Sequence, residues 1–315
     1  MKNDTTLLFA LRPAEASDIE LVPKVIRLAK ALDAKVELFT VLLPLIYSAV
    51  GAYGELIDQA QRALEKEARD ELEQHAAAFR SAGVRTSLSI RVEVRAHEAI
   101  AARAEAPDVG LVVVGCPSRH RLHGVLKYTD WELVRLCPKP LLLLKSLAPW
   151  QGGSVLAAID PGHAFDKPAD LDRRILQHAA RLSALLGEAL HVVHAVAPPP
   201  QAIVPEIAPF PQVVVEMRDA AEARARSDVH ALLEGLGPVA GSHLTTDVPS
   251  EAIPRVAATC GANLVVMGAV SRSALKRWLL GDTALKVLDQ LRADVLIVKP
   301  DVPAAAASEI AATAA

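Results

Sequence analysis

Val109-Gly-Leu-Val-Val-Val-Gly115 is a short apolar run that ends in glycine, and the chain carries a second version of it, Asn263-Leu-Val-Val-Met-Gly268. The two final glycines lie 268 − 115 = 153 residues apart. Continuous apolar runs of this kind are typical of strands that are buried on both faces of a parallel sheet. A repeat of about 150 residues has the size of a whole domain, so the sequence indicates two tandem copies of one fold.

Each copy alternates such runs with longer amphipathic patterns, which predicts the α/β class: two tandem Rossmann-like, doubly wound, five-stranded parallel sheets. The predicted strands are Thr6–Leu11, Lys35–Val41, Arg85–Val94, Val109–Gly115 and Pro140–Lys145 in the first copy, and Val155–Asp160, Ala189–Val196, His243–Asp247, Asn263–Gly268 and Asp294–Lys299 in the second. Glu55–Ala82 and Val213–Leu236 carry apolar residues at helical spacing, and each is predicted to be a long amphipathic helix.

Breaks in these patterns mark the domain boundaries. Pro149, Gly152 and Gly153 interrupt both copies, so we expect one domain over residues 1–148 and a second over 152–300. The alanine-rich residues 301–315 have little apolar bulk, and we expect them to be disordered.

Composition excludes several classes of protein. The net charge of −3 argues against a nucleic-acid binder, which would carry a basic balance. Cys116, Cys137 and Cys260 are odd in number and lack CxxC spacing, which argues against a disulfide framework or a zinc site. No secretory pattern opens the chain, and no apolar run approaches the roughly 20 residues of a membrane span. We therefore expect a soluble, cytoplasmic protein without a membrane span.

The candidate binding residues lie where the strands end. Ligands of doubly wound sheets bind beyond the carboxyl ends of the strands. In the second copy the first strand ends at Asp160, whose carboxylate can accept hydrogen bonds from a ribose or a base. Arg12 takes that position in the first copy, since Arg12-Pro13 corresponds to Asp160-Pro161.

A second candidate feature follows the fourth strand of the second copy. Gly268, Ser271 and Gly281, followed by Asp282 and Thr283, resemble the Gly-x2-Gly-x9-Gly-Ser/Thr motif of ATP-binding members of the universal stress protein family. The resemblance implies a backbone cradle for phosphate at a helix N-terminus, with ATP or ADP as the cofactor.

The chain departs from that motif twice, at Ser271 and at Asp282. The serine still offers a hydroxyl, but a carboxylate beside phosphate is repulsive. Asp282 can instead serve as the N-cap of the last helix. The nucleotide site of the second copy is therefore expected to be degenerate.

Two further segments resemble tandem, E-like members of the same family. They are Tyr128-Thr-Asp-Trp-Glu-Leu-Val-Arg-Leu-Cys-Pro-Lys-Pro140 and Leu291-Arg-Ala-Asp-Val-Leu-Ile-Val-Lys-Pro300. The resemblance implies the universal stress protein fold and a non-enzymatic regulatory role in the stress response. Whether Trp131 packs under the neighbouring basic loop or lines a ligand pocket stays open.

That basic loop follows Gly115 and lacks the glycine spacing of the second copy. It carries Arg119, Arg121 and Lys127, and Arg12 belongs to the same edge of the sheet. Two interpretations remain: an ordinary solvated loop, or a patch that binds an anion.

Apolar segments follow the second strand of each copy, at Leu42–Tyr53 and Ala197–Val215. Such segments are unusual for loops and mark contacts of some kind. They could pack between the copies, cover an apolar ligand pocket, or bind another chain. Binding or carriage of an apolar or acyl ligand is therefore an alternative function, and a regulatory protein is a candidate partner. Weak ATP hydrolysis in the second copy is a separate alternative.

Parallel sheets leave exposed edge strands. Pairing of Leu141–Leu144 with Val295–Val298 would hide two edges at once, so we expect an intramolecular pseudo-dimer, and a homodimer stays open. No nucleophile elbow, HExxH or P-loop lysine motif is present. His191 and His194 stand three apart on a strand and point to opposite faces, so we expect no shared metal site. Together with the missing motifs, this leads us to expect no enzymatic activity.

Overall fold

This computed structural model describes residues 5–13, 16–45, 54–116, 128–162, 170–196, 211–269 and 282–300. The chain divides into two compact units, Met1–Trp150 and Gln151–Ala315. None of the helices in the described ranges is long and apolar enough to cross a lipid bilayer.

The first unit is an α/β domain with a parallel sheet. Its elements are β1 (Thr6–Leu11), α1 (Ala16–Leu32), β2 (Lys35–Leu42), α2 (Gly54–Ser81), β3 (Thr86–Val92), α3 (Ala96–Ala104), β4 (Val109–Gly115), α4 (Tyr128–Leu136) and β5 (Leu141–Leu144). The strand order is β3-β2-β1-β4-β5, and each neighbouring pair is parallel. The order reverses between β1 and β4, which opens a crevice at the carboxyl ends of these strands.

The second unit repeats this architecture. Its elements are β6 (Ser154–Ile159), α5 (Leu171–Leu186), β7 (Ala189–Ala195), α6 (Pro211–Leu233), β8 (Gly241–Thr245), α7 (Pro249–Thr259), β9 (Ala262–Gly268), α8 (Asp282–Gln290) and β10 (Asp294–Val298). The order is β8-β7-β6-β9-β10, again with parallel neighbours. The predicted fold class is confirmed in both units.

The central strands form the core, as their unbroken apolar runs predicted. All six side chains of β1 are buried, and Val112 and Val113 of β4 have no exposed surface. Val265 and Val266 of β9 are equally enclosed. Helices on both faces of a parallel sheet account for this complete burial.

The long helices pack with one half only. In α2 the buried side chains begin at Ala68 and end at Phe79, at the helical spacing expected of a core-facing stripe. In α6 Ala225 and Val229 are buried, whereas Val213 and Val215 near its start are exposed. The helix starts at Pro211, a residue favoured in the first helical turn, so the end of the segment predicted as an apolar loop is helical.

The third strand of the second unit differs most from its predicted bounds. It runs from Gly241 to Thr245, whereas the sequence suggested His243–Asp247. Gly241 pairs with His191 in the ladder. The strand stops where the Asp247 carboxylate accepts a hydrogen bond from the Thr245 hydroxyl at 2.9 Å, a local turn that competes with further pairing.

Candidate functional site

The first strand of the second unit ends at an acidic pair. Asp160 directly follows β6, and its backbone N–H donates to Oδ1 of Asp172 at 3.1 Å. Asp172 lies in the first turn of α5 and is buried, whereas the Asp160 side chain keeps 35% of its surface exposed. One carboxylate therefore holds the end of the strand, and the other is partly exposed to solvent.

His194 lies beneath this carboxylate. The register of β6 and β7 pairs His194 with Ile159, the residue before Asp160, and so places the two side chains next to each other. Its Nδ1 lies 3.2 Å from the carbonyl oxygen of Ile159 and 4.0 Å from Oδ1 of Asp160. The sequence raises His194 only as half of a metal site with His191, which strand alternation argues against, and its place at the strand end becomes visible once the strand register is known.

The glycine that ends β9 is required by packing. A Cβ atom on Gly268 would lie 2.8 Å from Cδ2 of Leu171 and 3.1 Å from Cδ1 of Ile175. Both side chains belong to α5 and are buried, so they have little room to move. Gly268 thus lets α5 approach the end of β9 closely, which sets the width of the crevice on that side.

The phosphate side of the predicted site is only partly described. The last helix, α8, has Asp282 as its first residue, and the N-cap role suggested for Asp282 stays a prediction. Ser271, Gly281 and the side chains of Asp282 and Thr283 lie outside the described residues. Their assignment to a phosphate cradle stays a prediction.

The corresponding place in the first unit is closed by an ion pair. The backbone N–H of Arg12 donates to Oδ2 of Asp18 at 2.9 Å, and its guanidinium donates to Oδ1 at 3.1 Å. Asp18 is 2% exposed. A Cβ atom on Gly115 would collide with this carboxylate and lie 2.7 Å from Leu21, so the side chain of Asp18 lies directly against the end of β4.

Little space remains beside this ion pair. A crevice of about 10 Å³ is left, which is room for about one water molecule. It is lined by Leu11, Arg12, Pro13, Asp18, Thr40, Ala68, Glu71, Leu72 and His75. Arg119, Arg121 and Lys127, the other members of the predicted anion patch, lie outside the described residues, as do the apolar segments over 46–53 and 197–210.

A network of charges in the first unit has a structural role. Arg103 on α3 donates to both oxygens of Glu37 and to Asp108, at 2.6 to 3.1 Å. Hydrogen bonds from Arg103 and then from Thr6 hold the pKa of the Asp108 carboxyl well below its usual range. Thr6 begins β1 and Asp108 directly precedes β4, so this network lies at the amino ends of the strands, opposite the crevice.

The second unit replaces part of that network with two histidines. His191 and His243 take the positions of Glu37 and Ser89, each 154 residues further on. Nδ1 of His191 lies 3.1 Å from Nε2 of His243, the ring centroids are 5.3 Å apart and the planes differ by 25°. The ring planes are thus roughly parallel, and the two facing nitrogens lie within hydrogen-bonding distance.

This pair is unfavourable to protonate twice. Burial, and then repulsion from His243, lower the pKa of His191. Within the described ranges no three His, Cys, Asp or Glu side chains are grouped to hold a metal ion. His191 and His194 do point to opposite faces: His191 contacts His243, while His194 contacts the end of β6.

Comparison with protein families decides where the chain belongs. The model of the universal stress protein family matches it twice, over residues 5–145 and 155–299. The chain belongs to the universal stress protein family. The resemblance noted from the sequence is thereby confirmed, with one family domain in each unit.

Known proteins that resemble this chain carry the family's name. Universal stress protein E of Escherichia coli K12 is 30% identical over 227 residues, which is 71% of each chain. The universal stress protein E homolog of Haemophilus influenzae is 26% identical over 208 residues, or 64% of this chain and 66% of that one.

Solved structures agree on the fold. A putative universal stress protein from Pseudomonas aeruginosa is 25% identical, with a TM-score of 0.70 and coverage of 99% of this chain and 98% of that one. A universal stress protein from Archaeoglobus fulgidus, at 14% identity, has a TM-score of 0.66 over 93% of this chain and 98% of that one. The latter likeness concerns the fold alone.

Proposed function

We propose that this universal stress protein is a non-enzymatic regulator of the stress response that binds one adenine nucleotide per chain, in its second domain. The first domain, residues 1–148, would have a structural or partner-binding role, and the second, residues 152–300, would carry the ligand. The difference between Asp160 and Arg12 at the ends of the first strands carries the proposal.

The acceptor in the second unit is available to a ligand. Asp160 is partly exposed at the point where a doubly wound sheet binds its ligands, and its backbone is fixed by Asp172. A fixed carboxylate can accept from a ribose hydroxyl or an adenine amino group. In the first unit the same crevice is closed by the ion pair of Arg12 and Asp18.

The phosphate groups would lie toward Gly268 and the start of α8. Backbone amides at a helix N-terminus favour negative charge there. The family motif supports this placement through Gly268, Ser271, Gly281 and Thr283. Asp282 opposes it, so we expect weak binding rather than tight retention of ATP or ADP.

Isothermal titration calorimetry of the full chain with magnesium and ATP, and separately with ADP, tests the proposal. We expect one site per chain, with Asp160→Ala weakening binding by about tenfold or more, equal to about 1.4 kcal/mol. Arg12→Ala is the matched control at the same position of the first unit and should leave the affinity unchanged. Absence of binding heat, together with a bare mass in native mass spectra after ATP addition, would refute the proposal.

Catalysis is tested separately. If the role is non-enzymatic, phosphate release from ATP by the wild type should equal that of Asp160→Ala. A higher rate in the wild type that Asp160→Ala removes would show a weak ATPase instead.

A second candidate function has an observation in its favour. Leu43 and Leu45, which lead from β2 into the apolar segment, are 68% and 41% exposed. Exposed apolar side chains that lie close together along the chain are typical of ligand grooves and of surfaces that bind a partner. Organic extraction of purified protein followed by mass spectrometry tests for a bound acyl or other apolar ligand, and an extract without such a molecule would count against this function.

A further inference from the structure

We infer that His194 makes nucleotide binding at the Asp160 site proton-linked, so that an anionic nucleotide binds more tightly at pH 6 than at pH 8. This inference rests on the proposed function, because it requires a nucleotide at Asp160. It assigns His194 a positioning and regulatory role at the site.

The imidazole of His194 lies within hydrogen-bonding distance of a backbone carbonyl. Nδ1 of His194 lies 3.2 Å from the carbonyl oxygen of Ile159, and a carbonyl can only accept. The hydrogen of the neutral ring is therefore on Nδ1, and a further proton has to enter at Nε2. The ring is 5% exposed and held in place, so its charge, once gained, stays beside the strand end.

Two carboxylates lie at the strand end next to the ring. Asp160 lies 4.0 Å away, and the Asp172 carboxylate is bonded to the backbone of Asp160. On β8 the register partner of His194 is the uncharged Leu244. Two carboxylates at one strand end disfavour an anionic ligand, and a protonated imidazole among them offsets one negative charge.

The helices α5 and α6 carry further charged and titratable side chains. On α5 Arg173 and Arg174 directly follow Asp172, and His178 lies one turn further on. On α6 the Asp228 carboxylate pairs with Arg224 at 3.9 Å. His191 and His243 face α7 on the other side of the sheet, where Arg255 donates to Thr245 of the same strand as His243.

The two units differ at the position of His194. Thr40 replaces His194 in the first unit, and its hydroxyl donates to the carbonyl oxygen of Leu11 at 3.0 Å. The bond across the strand ends is thus kept, with a group that does not titrate. At this end of the sheet the first unit has a permanent positive charge on Arg12. The second unit has His194 at the same end, and this side chain is positive only when it is protonated.

Linkage gives the consequence. If protonation of His194 favours the anion, binding of the anion must favour protonation to the same degree. Imidazole gains its proton between about pH 8 and 5. At an effective dielectric constant of about 20, a unit charge about 12 Å from the phosphate charge changes affinity by about tenfold.

The test is calorimetry of the full chain with magnesium and ADP at pH 6, 7 and 8, in pairs of buffers that differ in ionisation enthalpy. The expected result is net proton uptake on binding near pH 7 and tighter binding at pH 6. ADP itself titrates in this range, so the decisive quantity is the difference between the wild type and His194→Thr. This variant copies Thr40 of the first unit and should remove the difference in proton uptake while still binding ADP at pH 8.

His243→Ser is the control, since it removes a histidine on the opposite face and copies Ser89. It should keep the proton uptake of the wild type. If His194→Thr fails to fold, the wild type still decides, because an NMR titration must show the His194 ring gaining a proton when ADP is added.

Binding of ADP with equal proton uptake in the wild type and His194→Thr, or an unchanged His194 signal, would overturn the inference and leave the proposed function intact. Absence of ADP binding at every pH would refute the proposed function itself.

Discussion

Arg12 and Asp18 form a two-point contact in the first unit, in which the backbone and the guanidinium of one residue both donate to the carboxylate of the other. The second unit keeps the carboxylate as Asp172 and the backbone bond, but has Asp160 in place of the arginine. One substitution between the copies thus separates a closed crevice from one with an available acceptor.

This relationship predicts that arginine at residue 160 closes the second site. In Asp160→Arg the new guanidinium is expected to pair with Asp172, as Arg12 pairs with Asp18, and to take the space of the nucleotide. ATP binding should become undetectable by calorimetry. Asp160→Asn, which keeps the size of the side chain, should bind measurably, and equal affinity in both variants would contradict the prediction.

Loss of the Asp18 carboxylate should destabilise the first unit. Asp18→Ala removes a buried partner of two donors, and we expect the free energy of unfolding to fall by about 2–4 kcal/mol. Arg12→Ala should cost only about 1 kcal/mol, because its side chain is 22% exposed and the backbone bond survives. Urea unfolding followed by circular dichroism measures both, and equal losses would show that the guanidinium, not the backbone bond, dominates.

Gly268 is expected to tolerate no side chain. In Gly268→Ala the new Cβ would overlap Leu171 and Ile175, which are buried, and overpacking of this kind costs about 1–3 kcal/mol. Gly54→Ala is the matched control, since a Cβ there has nothing within 4 Å. Thermal unfolding compares the two, and an unchanged melting temperature for Gly268→Ala would show that α5 can move away from β9.

Acid should weaken the second unit. Burial and neighbouring positive groups lower the pKa of His178 and of His191. The folded chain then binds fewer protons at these rings than the unfolded chain, so stability is full above about pH 6.5 and falls as the pH drops below it.

Melting temperatures between pH 8 and pH 5 measure this effect. His243→Ser removes the repulsion on His191 and should make the acid loss smaller, at the cost of the hydrogen bond between the rings. His230→Ser changes an 80% exposed histidine and should follow the wild type. A wild-type melting temperature that rises on acidification would contradict the prediction.

Much of the fold was accessible from local patterns. The run Val109–Gly115 forms a strand with the predicted bounds, because the unbroken apolar stretch 111–114 suits a strand that is covered on both faces. The predicted bounds of the third strand of the second unit were wrong by two residues, because its extent depends on the pairing of Gly241 with His191. The sequence also singled out Asp160 as a candidate, since the end of a first strand is where this fold class binds ligands, and that assignment stays a prediction.

By itself, the sequence determined the two tandem domains, the family and the contrast between Arg12 and Asp160, since periodicity, repeat length and strand ends are local properties of the chain. Only the tertiary structure brought Asp18 to Arg12, His194 to Asp160 and His191 to His243. These contacts depend on strand register and on the docking of α1 and α5, which arise from packing between segments distant in sequence. Local propensity carries no information about such packing, so the charge balance of the crevice becomes visible in the folded chain alone.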